Sequence, residues 1–255
     1  MEPSPIPLTN PEPMSDLAMP DLPDVSTHNF ADAEAQAVTL AKHIAERLRT
    51  GLEVRGHALL AVSGGNTPKL LFAHLAQAAL DWAHVRITLV DERWVPAHDP
   101  RANARLVQST LLQHAAHAAS FVPLYTGAAT PEAGLAEATA RINNLPLPFD
   151  AVVLGMGDDG HTASFFPGGD HLDLALNLYN RAPVVSMRAP AAGEPRITLT
   201  LATLLETHAL YLLISGAHKR EVLADAQLGL GAAQHYPVRA VLTQNRVSVA
   251  VYWCP

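Results

Sequence analysis

A glycine-rich stretch near the middle of the chain, GMGDDGHTASFFP at residues 155–167, contains both an aspartate and a histidine. It follows an apolar run at residues 149–154, a pattern that predicts a buried strand. Open α/β sheets bind ligands at the carboxyl ends of their strands, and glycines let the backbone approach a ligand closely. His161 can exchange a proton near neutral pH, and Asp159 can orient its imidazole. The stretch therefore predicts proton transfer on a small bound molecule.

A second polar turn, SGGNTP at residues 63–68, lies between a predicted strand and a predicted helix. The backbone N–H groups at Gly64 and Gly65, the helix start, and the hydroxyls of Ser63 and Thr67 together form a cradle for a phosphate or carboxylate. A tight turn capped by Thr67 explains the same residues equally well. The lysine and the spacing of a nucleotide-binding P-loop are absent.

Charged residues follow the next predicted strand, in the segment DERWVP at residues 91–96. Arg93 can hold an anion through two hydrogen bonds, although an arginine–carboxylate pair at a sheet edge is an equal alternative. Asn103, before a predicted helix, is explained equally well as a helix cap. Further arginines that could gather around an anion are Arg101, Arg105, Arg188 and Arg196.

Lys219 follows the most apolar predicted strand, in the segment SGAHKR at residues 215–220. It falls in the first turn of a predicted helix, where the helix dipole disfavours a cation. A bound anion would explain a lysine there. By itself, however, the segment favours an ordinary exposed lysine.

Other chemistries have weaker support in the sequence. The chain has 13 histidines, and His114 and His117 share a predicted helix face, but no Cys, His and carboxylate cluster has metal-ligand spacing. Ser164 is not in the G-x-S-x-G setting of a nucleophilic serine, and Cys254 has no base beside it. We therefore expect no bound metal.

The composition limits the classes of partner. The chain has 255 residues, 49% of them apolar, and a net charge of −7, which offers no electrostatic footprint for nucleic acid or an anionic membrane. A single cysteine excludes an internal disulfide and suits a reducing cytoplasm. No apolar run approaches the ~18 residues needed to span a membrane. We expect a cytoplasmic monomer without nucleic-acid or membrane partners.

Proline recurs through residues 1–28 among acidic residues, without a helix or strand pattern and without the basic start and apolar block of a signal peptide. We expect a flexible extension there, with a docking role as the alternative, and a single domain at residues 29–255. In that domain predicted strands and helices alternate. They include a helix at residues 31–53, where apolar residues recur at helical spacing, and strands at residues 183–187 and 196–199. The pattern predicts an α/β fold with a mostly parallel, Rossmann-like sheet flanked by helices on both faces, and a small antiparallel insert at residues 168–194.

Taken together, the segments at residues 63–68, 91–96, 155–167, 196–200 and 215–220 resemble the 6-phosphogluconolactonase family in order and spacing. The resemblance covers roughly residues 29–253. The family is related to glucosamine-6-phosphate deaminase and ribose-5-phosphate isomerase, which implies a single-domain α/β fold. Phe165 stands where leucine is common, a conservative difference at an apolar position.

The resemblance implies hydrolysis of 6-phosphoglucono-1,5-lactone to 6-phosphogluconate, the second step of the oxidative pentose phosphate pathway. His161 would act as base and then acid, with Asp159 orienting it. The resemblance implies no metal and no organic cofactor. The residues that would hold the phosphate or the oxyanion are Ser63, Gly64, Gly65, Thr67, Arg93, Arg196 and Lys219.

Two alternatives remain at this point. A sugar-phosphate isomerase or deaminase of the same fold needs a further carboxylate base shortly after the loop histidine, and residues 162–166 contain none. A non-catalytic sugar-phosphate sensor would not need both Asp159 and His161.

Overall fold

The computed structural model describes residues 25–255, which form two sheets and eight α-helices. The strands are β1 (Val25–Asn29), β2 (Ala58–Val62), β3 (Val85–Leu89), β4 (Asp91–Arg93), β5 (Ser120–Val122), β6 (Ala151–Leu154), β7 (Val184–Met187), β8 (Arg196–Leu199), β9 (Leu210–Ser215) and β10 (Val249–Cys254). The helices are α1 (Ala33–Arg55), α2 (Pro68–Leu75), α3 (Asn103–Leu106), α4 (Pro131–Asn143), α5 (Leu172–Leu176), α6 (Leu201–Leu204), α7 (Ala217–Leu228) and α8 (Val238–Thr243).

The larger sheet is parallel and has seven strands in the order β1-β10-β9-β6-β2-β3-β5. The chain moves outward from β2 through β3 to β5, and in the opposite direction from β6 through β9 to β10. Strands β2 and β6 are therefore the neighbours at which the order reverses. The loops after such a pair diverge and leave a crevice at the carboxyl ends of the strands.

The central strands are continuous apolar runs because both of their faces are buried. Every residue of β2 and of β6 is buried, as expected for a sheet covered on both faces. Helix α1 buries Leu40, Ile44 and Leu48 at helical spacing. Its N-cap is Asp32, whose carboxylate accepts the N–H of Ala35 at 2.8 Å. The predicted α/β fold is confirmed.

The smaller sheet is antiparallel, in the order β4-β8-β7. Only β7 lies within residues 168–194, where the sequence predicted the insert, so that position is partly wrong. The other two strands come from residues on either side of this stretch. Strand β4 has three residues, all charged, and it forms because its backbone pairs with the predicted strand β8.

The amino-terminal boundary also differs from the prediction. Residues 1–24 of the expected extension lie outside the described residues, but residues 25–28 belong to β1, which pairs with β10 at the edge of the sheet. Four of the five side chains of β1 are exposed. Backbone hydrogen bonds rather than apolar burial hold this strand, so an apolar pattern could not predict it. No helix in residues 25–255 is long and apolar enough to cross a membrane.

Candidate active site

A cavity of about 280 Å³ opens where the loops after β2 and β6 diverge. It brings together residues that are distant in sequence, from five separate segments of the chain. Of the nine residues predicted for the site, eight line the cavity: Ser63, Gly64, Gly65, Thr67, Arg93, His161, Arg196 and Lys219. The ninth, Asp159, does not line the cavity but contacts His161.

The imidazole of His161 is fixed on one side by Asp159. The Nδ1 atom lies 2.6 Å from Oδ1 of Asp159, and the same oxygen accepts the backbone N–H of His161 at 3.1 Å. The ring packs against that of Phe166, with centroids 4.4 Å apart, and the side chain is 32% exposed. With Nδ1 bound to a carboxylate, Nε2 is the nitrogen left to exchange a proton with a ligand.

The glycines of the loop have separate roles in placing that ring. A Cβ atom at Gly157 would collide with the imidazole of His161, so only glycine fits there. Gly160 has φ = 73°, and a Cβ there would lie 2.5 Å from the ring of Tyr236. Its carbonyl accepts the N–H of Val238 at 2.9 Å. The loop is therefore held from outside by the first residue of α8 and by Tyr236 just before it.

The turn at residues 63–68 is not explained by capping. Thr67 is the N-cap residue of α2, but its side chain makes no capping hydrogen bond. Gly65 has φ = 95°, which favours glycine. A side chain at Gly64 would collide with the amide of Asn103, so this turn and the start of α3 are in close contact. The hydroxyl of Thr67 remains available to the cavity it lines.

Two arginines are neighbours on adjacent strands of the small sheet. Arg93 of β4 is paired directly with Arg196 of β8. Like charges in such a cross-strand pair repel. The buried Nε atoms of both arginines have no hydrogen-bond partner among the described residues. Burial lowers the pKa of Arg196; Arg93 acts in the same direction and Asp91 opposes it. An anion between the two guanidinium groups would relieve both the repulsion and the missing hydrogen bonds.

The remaining contacts of the arginine pair are to backbone carbonyls and one carboxylate. Arg93 donates from Nη1 to the carbonyl of Arg101 at 2.5 Å, and Arg196 donates from Nη2 to that of Ala192 at 2.7 Å. Arg196 Nη1 lies 3.9 Å from Oδ2 of Asp91. The alternative of a simple arginine–carboxylate pair at a sheet edge therefore does not describe Arg93.

Lys219 reaches the same cavity from the first turn of α7 and is exposed only in part. Within residues 25–255 it forms no ion pair and no side-chain hydrogen bond. Its ammonium thus adds a third positive charge to the cavity wall, from a segment separate from the small sheet.

The other candidate arginines do not join this site. Arg101 pairs with Asp99 and Glu194, and lowers the pKa of Asp99 to about 2. Arg188 binds both carboxylate oxygens of Glu132 and lowers its pKa to about 2. Arg105 donates to the carbonyl of His98 at 2.9 Å. These three side chains therefore form their ion pairs and hydrogen bonds outside the cavity.

Sequence reasoning missed the buried polar residues that support the site. Asp91 lines the cavity, accepts the hydroxyl of Ser164 at 2.6 Å and accepts the amide of Asn103 at 3.3 Å. The cap interpretation of Asn103 is wrong, because Ala102 is the N-cap of α3 and the side chain of Asn103 bonds to Asp91. Strand alternation at residues 91–93 was the available signal, since it places Asp91 and Arg93 on one face.

The described part of the chain offers no metal-ligand cluster. Within residues 25–255, no three His, Cys, Asp or Glu side chains are grouped so that they could hold a metal ion. His114 and His117 lie in a short 3-10 helix, away from the cavity.

Comparison with known proteins places this chain in a family. The family model of glucosamine-6-phosphate isomerases/6-phosphogluconolactonase matches residues 31–253. A 6-phosphogluconolactonase of Rhizobium meliloti (strain 1021) is 47% identical over 228 residues, which cover 89% of this chain and 98% of the relative. A 6-phosphogluconolactonase of Mesorhizobium japonicum is 46% identical over 226 residues, covering 89% and 94%.

Solved structures agree in fold. The crystal structure of a 6-phosphogluconolactonase from Shewanella baltica OS155 matches with a TM-score of 0.87 and 40% identity, over 91% of this chain and 98% of that chain. The crystal structure of a protein from Neisseria gonorrhoeae FA 1090 matches with a TM-score of 0.84 and 33% identity, over 91% and 100%. The chain therefore belongs to the glucosamine-6-phosphate isomerase/6-phosphogluconolactonase family.

Proposed function

We propose that this protein hydrolyses 6-phosphoglucono-1,5-lactone to 6-phosphogluconate, with His161 as the proton-transfer residue. The observation that carries the proposal is the contact between His161 and Asp159 at 2.6 Å, in a loop beside a cavity lined by Arg93, Arg196 and Lys219. A base and an anion site in one small cavity match a phosphorylated ester substrate.

The first step is activation of water. Nε2 of His161 takes a proton from a water molecule while the water oxygen forms a bond to the lactone carbonyl carbon. The carbonyl carbon becomes tetrahedral, and the former carbonyl oxygen becomes an oxyanion. The carboxylate of Asp159 stabilises the imidazolium that results, because it lies against Nδ1. The charge that develops on the oxyanion requires nearby donors. The backbone N–H groups of the glycine loop at residues 155–157, which lines the cavity, are the proposed donors.

The second step is ring opening. The carbonyl re-forms, the bond from the carbonyl carbon to the ring oxygen breaks, and the imidazolium gives its proton to that ring oxygen. The products are a carboxylic acid, which ionises, and a hydroxyl, so His161 returns to its neutral form. Because a lactone is already reactive, one base and correct positioning suffice.

The phosphate binds, in this proposal, between the arginine pair, Lys219 and the turn at residues 63–67. This assignment is supported by the unpartnered Nε atoms of Arg93 and Arg196, and by the position of Lys219 and residues 63–67 in the lining of the same cavity. A phosphate has enough acceptor oxygens to satisfy several of these donors together.

Neither alternative has an observation that favours it. Residues 162–166 contain no acidic residue and are all buried, so they provide no carboxylate base for carbon-to-carbon proton transfer. A sensor would not need the imidazole held against a carboxylate.

The decisive experiment uses freshly generated 6-phosphoglucono-1,5-lactone in a coupled assay, corrected for spontaneous hydrolysis. Glucosamine 6-phosphate, assayed for ammonia release, is the matched comparison. We expect rapid lactone hydrolysis and no ammonia. Deamination without lactone hydrolysis would overturn the proposal.

We further propose a cytoplasmic monomer that works without a metal or organic cofactor. A chain with a single cysteine suits a reducing compartment. Sedimentation of the pure protein tests the monomer. Activity should survive dialysis against a strong chelator; a loss that one divalent metal restores would contradict the metal-free mechanism and make His161 a candidate ligand instead.

A further inference from the structure

Strand β4 has one carboxylate, that of Glu92, on the face turned away from the cavity. Asp91 and Arg93 of this strand line it, whereas Glu92 lies between them and is 0% exposed. The carboxylate of Glu92 accepts three backbone N–H groups: from Arg93 at 2.8 Å, from Asn103 at 2.7 Å and from Ala104 at 2.7 Å.

We propose that Glu92 is the positioning residue for the anion-binding side of the site. It fixes the backbone of Arg93 and the first turn of α3 to each other, and so sets the relative position of Arg93 and Asn103. The identity of the anion rests on the proposed function; the role of Glu92 does not.

The connection through α3 reaches three segments of the cavity wall. Glu92 holds the backbone of Asn103, and the side chain of Asn103 donates to the carbonyl of Asp91 at 2.9 Å. The same side chain lies against Gly64 in the turn proposed to bind phosphate. A shift of α3 would therefore move that turn as well as the arginine pair. Arg93 would move directly, because its own N–H is one of the three donors.

A carboxylate suits this place better than its amide. All three partners of Glu92 are donors, and an ionised carboxylate offers only acceptors. In the Glu92→Gln variant the side-chain NH₂ group would face at least one N–H, which leaves a buried donor opposed to a donor. The charged groups around Glu92 are Asp91, Arg93 and Arg196. Burial raises the pKa of Glu92 to about 7, while the three backbone N–H groups oppose that rise.

Asp150, at the amino end of the parallel sheet, provides a matched control. Asp150 is also a buried carboxylate, 3% exposed, and it accepts the backbone N–H of Leu59 at 2.8 Å and contacts Arg55. It stands before β6, at the amino end of the strands, and does not line the cavity. Asp150→Asn should therefore disturb packing as Glu92→Gln does, without reaching the site.

The experiment compares full-length wild type, Glu92→Gln, Glu92→Asp and Asp150→Asn. Calorimetry gives the Kd for 6-phosphogluconate and for inorganic phosphate, and steady-state kinetics give kcat and KM for the lactone. We expect Glu92→Gln to raise Kd and KM by about tenfold or more while kcat changes by less than about threefold. Glu92→Asp keeps the charge on a shorter side chain and should fall between Glu92→Gln and wild type. Asp150→Asn should keep the wild-type Kd despite a lower melting temperature.

Two results would overturn the proposal. One is a folded Glu92→Gln protein with the wild-type Kd, or, if that variant does not fold, a Glu92→Asp protein with the wild-type Kd. The other is an equal weakening in Asp150→Asn, which would show a general loosening of the fold. A wild type that binds 6-phosphogluconate without hydrolysing the lactone would refute the proposed function alone, because the Kd comparison still decides the role of Glu92.

Discussion

Buried charged side chains have opposite kinds of neighbour at the two ends of the parallel sheet. At the amino end, Asp150 contacts Arg55 and also accepts a backbone N–H, so one positive and one negative charge cancel inside the fold. Beyond the carboxyl end, in the small antiparallel sheet, Arg93 is paired with Arg196, and Lys219 lines the same cavity. Charge that serves the fold is neutralised within it. Within residues 25–255, the arginine pair proposed to bind the ligand has only one carboxylate at ion-pair distance, Asp91 at 3.9 Å from Arg196.

This difference has an energetic meaning. Facing arginines repel each other and destabilise the fold, and an anion bound between them would offset that cost. The carboxylate nearest to the pair, Asp91, lies 3.9 Å from Arg196 and is also engaged by Ser164. This arrangement suits the proposed anion site, at some cost in stability.

The largest expected effect is at His161. His161→Ala should lower kcat by about 10²–10⁴ with little change in melting temperature, because it removes the proposed base and leaves the apolar core intact. Kinetics with fresh lactone, together with circular dichroism, check this. A folded variant with near-normal kcat would remove His161 from the mechanism.

Substitution of one arginine at each end of the sheet tests whether buried charge has a different role at the two ends. Arg93→Met should weaken binding of 6-phosphogluconate by roughly 10–100-fold, since a charged hydrogen-bonded contact is lost, while removal of like-charge repulsion keeps the melting temperature unchanged or raises it. Arg55→Met should do the reverse: it leaves Asp150 without its cation and destabilises the fold by about 1–3 kcal/mol, with wild-type binding. Calorimetry and thermal unfolding measure both. If Arg93→Met destabilises the fold as much as Arg55→Met, the distinction between the two ends fails.

The pH dependence of stability tests the burial of Glu92. Burial raises its pKa in the folded protein from 4.5 to about 7, so the folded state holds this proton more tightly than the unfolded state. The stability contributed by protonated Glu92 is complete below about pH 4.5 and is lost as the pH rises through about 7. The unfolding free energy of wild type minus that of Glu92→Gln should fall over this window. A difference that rises with pH would show that the three N–H donors outweigh burial.

The smallest expected effect is at the amino terminus. Removal of residues 1–24 should leave the melting temperature and kcat nearly unchanged, because a proline-rich, acidic segment has little apolar surface to bury. Removal of residues 1–29 also deletes β1 and its pairing with β10, so the melting temperature should fall measurably. Differential scanning calorimetry of both truncations checks the boundary. A large loss on removal of residues 1–24 would mean that this segment packs on the domain.

The sequence determined the features that repeat along the chain or lie within one segment. Helical spacing of apolar residues predicted α1, and the apolar run at residues 149–154 predicted β6 and the loop that follows it. The glycines around His161 were predicted to let the backbone approach a ligand; at Gly157 the structure shows a close approach to the imidazole of His161 itself. Local pattern is sufficient in such cases because the residues that make the feature are neighbours in the chain.

The tertiary structure decided which charges meet. Residue types and spacing alone did not choose among Arg93, Arg101, Arg105, Arg188 and Arg196. The family resemblance favoured Arg93 and Arg196, and the pairing of β4 with β8 brings these two together. Strands β1 and β4 are also products of pairing, since neither has an apolar pattern of its own. The same is true of Glu92, whose three partners come partly from α3, eleven and twelve residues further along the chain. Hydrogen bonds and charge contacts between distant segments depend on where the fold places those segments, and that information is not local in the sequence.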